Sequence, residues 1–149
     1  MGSLTIPGGG PVYLDTVALI YTVETVSPYA EMLKPLWQAS RAGQLELITS
    51  EIALLEVLVG PMKTQNAPLV AAYEDVLSGT DLRMIPVDSS ILRAAAQLRA
   101  NTGARTPDAI HAATAVANGA LSFITNDLSF RSMGIPGVQI LNALLQGSR

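Results

Sequence analysis

The chain has no cysteine, so disulfides and thiolate metal centres are both excluded. Lysine is nearly missing as well, occurring only at Lys34 and Lys63, which leaves arginine as the main cation. Charged residues make up 14% and aromatics 5% of the sequence, against a hydrophobic share of 49%. That balance excludes a disordered, highly charged chain and describes one able to bury a core. No apolar stretch is long and clean enough to read as a membrane span. The richest, Ala109–Ile124, is interrupted by His111, Asn118 and Gly119. Residues 1–11 carry no Lys or Arg and no long apolar run, so they do not read as a secretory signal. A cytoplasmic protein without membrane contact is the expectation.

The 149 residues fit one domain, large enough to hold a core without staples. Residues 1–11, with Gly8-Gly9-Gly10, read as a flexible arm, and 12–149 as a single domain. Val12-Tyr13-Leu14 reads as a strand, followed after Asp15 by a helix to about Glu24. Ser27-Pro28 predicts the cap and first position of a second helix ending near Gly43. Leu45–Thr49 is the second strand. Ser50 is expected to cap a helix that Gly60-Pro61 stops. Pro68–Leu77 predicts another helix, Leu82–Val87 a third strand, and Asp88 to Gly103 a capped helix with its terminator. Thr106-Pro107 opens an Ala-rich helix closed by Gly119. Leu121–Ile124 and Val138–Leu141 complete the strands. Alternation of this kind predicts an α/β three-layer sandwich around a mostly parallel sheet. Ligands of such sheets collect beyond the carboxyl ends of the strands.

Of twelve acidic residues, Glu31, Glu46, Glu74, Asp75 and Asp81 read as solvated surface, and Asp88 as a helix cap. Four others stand in less ordinary places. Asp15 follows the first strand and Asp127 the fourth, and either is also explained as a cap or turn residue. Glu56 shares a helix face with Ile52 and Val59, while Glu51 lies about 140° away. A lone carboxylate among apolar neighbours costs several kcal/mol unless it is paired with a cation such as Arg or bound to metal. Asp108 opens the Ala-rich helix, where the helix dipole alone favours it by roughly 0.3–1 kcal/mol. Oxygen donors of this sort suit Mg²⁺, which takes a few carboxylates together with water and substrate phosphate. The net charge of −3 argues against a nucleic-acid partner until those four acids are set aside, which brings the balance to +1. His111, the single histidine, reads as a helix-packing residue with one structural hydrogen bond, the alternative being a general base.

The segments Leu14-Asp15-Thr16, Glu56-Val57-Leu58, Pro107-Asp108-Ala109-Ile110-His111-Ala112-Ala113 and Ile124-Thr125-Asn126-Asp127 resemble the PIN domain, most closely the toxin ribonucleases of VapBC toxin–antitoxin pairs. The resemblance runs from about Val12 to Leu141. It implies a metal-dependent endoribonuclease using Mg²⁺ or Mn²⁺, with Asp15 and Asp108 as principal ligands and Glu56 and Asp127 completing the acidic set. It also implies supporting hydroxyls at Thr16 and Thr125, an RNA substrate, a cognate antitoxin and a homodimer. Leu54, Leu55, Leu58, Trp37 and Met62 are candidates for the apolar contact surface, each also a candidate for the core. Where such domains usually carry Ser or Asn two residues after the first Asp, this chain has Val17. The alternative is a PIN-like domain that binds RNA or protein without cutting. A phospho-receiver domain is disfavoured because no Lys follows Lys63, and a haloacid-dehalogenase-type phosphatase because position 17 is not Asp.

Overall fold

The computed structural model describes residues 2–146. Five strands form one sheet: β1 (Pro11–Leu14), β2 (Glu46–Ser50), β3 (Leu82–Ile85), β4 (Ser122–Thr125) and β5 (Val138–Ile140). Their order is β3-β2-β1-β4-β5, and every pairing is parallel, so the sheet expected to be mostly parallel is wholly so. The helices are α1 (Thr16–Val23), α2 (Tyr29–Arg41), α3 (Ile52–Lys63), α4 (Ala67–Ser78), α5 (Ser89–Thr102), α6 (Thr106–Ala117) and α7 (Leu141–Gln146).

Alternation along the strands divides the core. Val12 and Leu14 of β1, Leu47 of β2 and Ile124 of β4 pack with Leu19, Leu33, Leu36, Val57 and Tyr73 from α1 to α4. Tyr13, Ile48 and Phe123 point the other way, into a second layer built on α5 and α6. The small residues of α6 let it approach closely: Ala109, Ala112 and Ala115 have no exposed surface. Burying both faces explains why these strands read as continuous apolar runs.

Several local expectations hold by the mechanism that motivated them. The Asp88 carboxylate accepts from Ile91 N at 2.9 Å, and Gly103 closes α5 at φ +73°. Others need correction. Ser27 does not cap α2, because its hydroxyl donates to the Glu31 carboxylate at 2.8 Å and the helix begins at Tyr29. Gly60-Pro61 does not stop α3, which runs on to Lys63. Gly60 has no Cβ, which eases one of the clashes a following proline imposes. Ser50 acts at the start of α3 as expected, its Oγ accepting from Ile52 N at 3.2 Å, although Glu51 separates it from the helix. The chain before β1, residues 2–10, carries neither helix nor strand, and Thr5 exchanges backbone hydrogen bonds with the Gln139 side chain. A 3-10 turn at Leu128–Ser132 and the helix α7 were not anticipated.

Strand order reverses at β1. The chain builds β1, β2 and β3 in one direction, then returns through α5 and α6 to place β4 on the other side of β1. Such a reversal opens a crevice at the carboxyl ends of the two strands concerned.

Candidate acidic site

Asp15 leaves β1 at that crevice. Its Oδ1 accepts from Thr16 N at 2.8 Å, so it is the N-cap of α1 as the ordinary reading held. Its Oδ2 accepts from the Thr125 hydroxyl at 2.7 Å, across the β1–β4 pairing. The cap therefore also belongs to the site. Thr125 is the last residue of β4, and its Oγ1 accepts from Asp127 N at 3.0 Å. Asp127 in turn caps the 3-10 turn through Ser129 N. One hydroxyl thus ties the Asp15 carboxylate to the backbone of Asp127.

Glu56 comes from α3 and meets the cleft from the side. Its Oε1 accepts from the Thr16 hydroxyl at 2.7 Å and stands 2.6 Å from His111 Nε2. Its partners are the Thr16 hydroxyl and the His111 imidazole, and no Arg–Glu56 ion pair forms among the described residues. Glu56 does not share the buried face of α3, contrary to the expectation from its spacing. The buried residues of α3 are Ala53, Val57 and Pro61, while Val59 is 49% exposed. Glu56 borders the core rather than entering it, and its side chain keeps 27% of its surface exposed. Glu51 is exposed, as expected. Asp108, in the first turn of α6, pairs with Arg105 at 3.1 Å.

Asp15, Glu56, Asp108 and Asp127 line one cleft of about 570 Å³, together with Thr16, Val17, Ile20, Tyr21, Arg105, Asn126 and Asn142. Arg105, Tyr21, Asn126 and Asn142 were not anticipated. For Arg105 a signal existed, its place immediately before the Thr106-Pro107-Asp108 helix start. The polar wall is held by Asn126, whose amide donates to Tyr21 Oη and whose oxygen accepts from Asn142 N. A second cleft of about 570 Å³ lies elsewhere, among Lys34, Trp37, Arg41, Asp75 and Asp81, and mixes charge signs.

His111 is the main correction. It makes more than one structural hydrogen bond: Nδ1 lies 2.5 Å from Tyr13 Oη, and Nε2 faces Glu56, Thr16 Oγ1 at 3.1 Å and Asp15 Oδ1 at 3.8 Å. Burial pushes the Asp15 carboxyl up from its ordinary value, and His111, Thr125 and the Thr16 amide offset this in part. Burial also acts to raise Glu56, but the hydrogen bonds from His111 and Thr16 outweigh it and hold that carboxyl below its ordinary value.

The donor set facing the cleft is oxygen-only: four carboxylates and no thiol, with the one imidazole already engaged. That chemistry fits a hard divalent cation. Among the described residues no three acidic or imidazole groups converge tightly enough to enclose an ion. No described helix is long and apolar enough to cross a membrane.

A family model for the PIN domain matches residues 12–136. No curated protein matches the sequence. Among solved structures, a toxin–antitoxin complex from Klebsiella pneumoniae is 25% identical with a TM-score of 0.64, covering 86% of this chain and 95% of its own. VapBC2 from Rickettsia felis, bound to a DNA fragment from its promoter, is 20% identical with a TM-score of 0.69, covering 87% and 98%. Mycobacterium tuberculosis VapC20, a Sarcin-Ricin loop cleaving toxin, shares the fold at 16% identity and a TM-score of 0.70, covering 86% and 98%.

Proposed function

The chain belongs to the PIN domain family, and from that premise we propose that it is a metal-dependent endoribonuclease, the toxin of a toxin–antitoxin pair. The observation that carries the reading is the meeting of four carboxylates in one cleft, each delivered by a different part of the chain: Asp15 after β1, Glu56 from α3, Asp108 from α6 and Asp127 after β4. Oxygen donors facing one cleft from four directions suit a hard divalent cation.

Asp15 and Asp108 would hold the cation most directly, with Glu56 and Asp127 completing the set. When bound there, Mg²⁺ or Mn²⁺ supplies positive charge opposite the phosphodiester and acidifies water for its hydrolysis. The chain's own residues do the rest. The Thr125 hydroxyl fixes the rotamer of Asp15, and the Thr16 hydroxyl fixes that of Glu56. Arg105, largely exposed at the cleft edge, offers a guanidinium to the RNA backbone. The Tyr21–Asn126–Asn142 wall gives the substrate polar contacts on the other side.

The partners are an RNA substrate, a second copy of the chain and a small antitoxin. Support for the antitoxin comes from the toxin–antitoxin complexes that share the fold. A basic antitoxin residue, most effectively an Arg with its two-pronged fork, would satisfy the carboxylates and close the cleft.

The test is cleavage of RNA by the purified chain with Mg²⁺ or Mn²⁺ added. Asp15→Asn and Asp108→Asn are each expected to lower the rate by at least about a hundredfold, the equivalent of roughly 3 kcal/mol of lost charge stabilisation. Either variant cutting at the wild-type rate would remove that residue from the site. A wild type that binds RNA but does not cut it, even with Mn²⁺, would establish the binding-only alternative, in which Val17 has replaced a needed polar group.

A further inference from the structure

The Tyr13 ring lies in the second core layer with no exposed surface, stacked on Phe123 at a centroid distance of 4.9 Å and 5° between planes. A buried phenol has to find hydrogen-bond partners. Tyr13 has two. Ser50 N donates to its oxygen at 3.1 Å, and His111 Nδ1 stands 2.5 Å away. The Ser50 amide can only donate, so of these two partners His111 Nδ1 is the one able to accept the phenolic proton.

An Nδ1 that accepts leaves Nε2 as the protonated nitrogen of the neutral ring. Nε2 points at Glu56 Oε1, 2.6 Å away, and the Thr16 hydroxyl donates to the same oxygen. Oε1 is thus held by two donors, while Oε2 has no protein donor among the described residues. With that tautomer the run reads Ser50 to Tyr13, Tyr13 to His111, His111 to Glu56.

We propose that Tyr13 and His111 are positioning residues, a directional relay from the β1 core to the cleft that pins one oxygen of Glu56 and turns the other toward a divalent cation. The relay rests on the nuclease reading only for what that cation does afterwards. A donor behind a carboxylate ligand is worth on the order of 10- to 100-fold in metal affinity or activity.

The chain has one histidine, so a long-range ¹⁵N–¹H spectrum of histidine-labelled wild type reports a single ring. The expected spectrum shows the proton on Nε2 and a bare Nδ1. A proton on Nδ1 overturns the relay, and this measurement needs no variant to fold. His111→Gln can place an amide N–H near the Nε2 position, whereas His111→Asn places its amide near Nδ1 and cannot reach Glu56. Mn²⁺ affinity and RNA cleavage are therefore expected to fall on the order of 10- to 100-fold in His111→Asn and in Tyr13→Phe, and to recover substantially in His111→Gln. Equal values for the Gln and Asn variants overturn the proposal, because a purely structural histidine would not discriminate between them. A wild type that binds Mn²⁺ and cuts no RNA sinks the nuclease reading while the Mn²⁺ affinities still decide the relay. A wild type that binds no Mn²⁺ overturns both.

Discussion

Thr125 and Asp15 are joined across the two central strands: the Thr125 hydroxyl donates to Asp15 Oδ2 at 2.7 Å, and its oxygen accepts from Asp127 N at 3.0 Å. Thr125 has no exposed surface. Replacing it by Val keeps the shape, strips a donor from Asp15 and leaves the Asp127 amide unpaired. Unsatisfied buried groups cost about 1–3 kcal/mol each. Thr125→Val is therefore expected to lose stability on that order in urea titration and to cut RNA poorly, while Thr125→Ser retains most of both. A Val variant that matches wild type in rate and stability would show that the hydroxyl holds nothing.

The pH dependence of the metal-free protein follows from two opposed shifts. The Asp15 carboxyl is raised, mainly by burial, so the folded protein keeps a proton that the unfolded chain has already lost. Folding is then weakened by this group as pH rises through the carboxylate range. The Glu56 carboxyl is lowered despite its burial, because His111 and Thr16 hydrogen-bond to it. Its contribution is present above the unfolded value and is lost as pH falls through the folded one. Asp15→Asn, which mimics the protonated form, is expected to melt higher than wild type near neutral pH, the gain fading in acid where wild-type Asp15 is itself protonated. Glu56→Gln is expected to melt lower near neutral pH and to converge with wild type in acid. Thermal melts of both variants across pH decide the matter. An Asp15→Asn protein that melts below wild type near neutral pH contradicts the burial argument.

Metal addition reverses that cost. Mn²⁺ at about a hundred times its Kd stabilises a folded protein by roughly 2.7 kcal/mol, and each kcal/mol moves the Tm of a chain this size by about 2–4 °C. Asp108→Asn, which loses a charge but keeps the shape of the α6 first turn, is expected to show a clearly smaller rise at the same Mn²⁺ concentration. Identical shifts in the two proteins would put the ion somewhere other than this cleft.

Part of the candidate cleft was legible from where its acids fall along the chain. Asp15 and Asp127 stand directly after buried strands, and the crevice at the carboxyl ends of β1 and β4 is where a parallel sheet gathers ligands. The face of α3 was harder. Periodicity grouped Glu56 with Ile52 and Val59, yet α3 buries Ala53 and Val57 instead, since sequence spacing gives relative angles but not which angle faces the sheet. Tyr13 and His111 were illegible as a pair: 98 positions separate them, and both have ordinary apolar neighbours. Their link depends on α6 packing on the face of the sheet to which Tyr13 points, which only the tertiary fold determines. Gly60-Pro61 misled because α3 carries the proline through its last turn, as α2 carries Pro35, with the glycine easing one of the proline's clashes.

The exposed apolar stripe on α3 carries the last prediction. Leu55 is 64% exposed, Val59 49% and Met62 57%, and the three lie within about 60° of one another around the helix. Leu54 adds a residue 37% exposed at the edge of the stripe. Trp37 and Leu58, also candidates for a contact surface, instead pack against the first core layer, and the Trp37 indole donates to Thr22. The stripe is thus the part of α3 available to a second copy of the chain, and in a homodimer it would border the cleft, since Glu56 follows Leu55 about 100° around the helix. Leu55→Glu combined with Met62→Glu places charge where a symmetric interface would have to desolvate it. Both side chains are exposed, so the monomer's own stability should change by no more than about 0.5 kcal/mol per site. Sedimentation equilibrium is expected to give a dimer for wild type and a monomer for the double variant, with Mn²⁺ binding retained in both because every cleft carboxylate comes from one chain. If wild type sediments as a monomer at micromolar concentration, the dimer proposal fails. Loss of Mn²⁺ binding in a folded monomeric variant would mean instead that the second copy helps to shape the site.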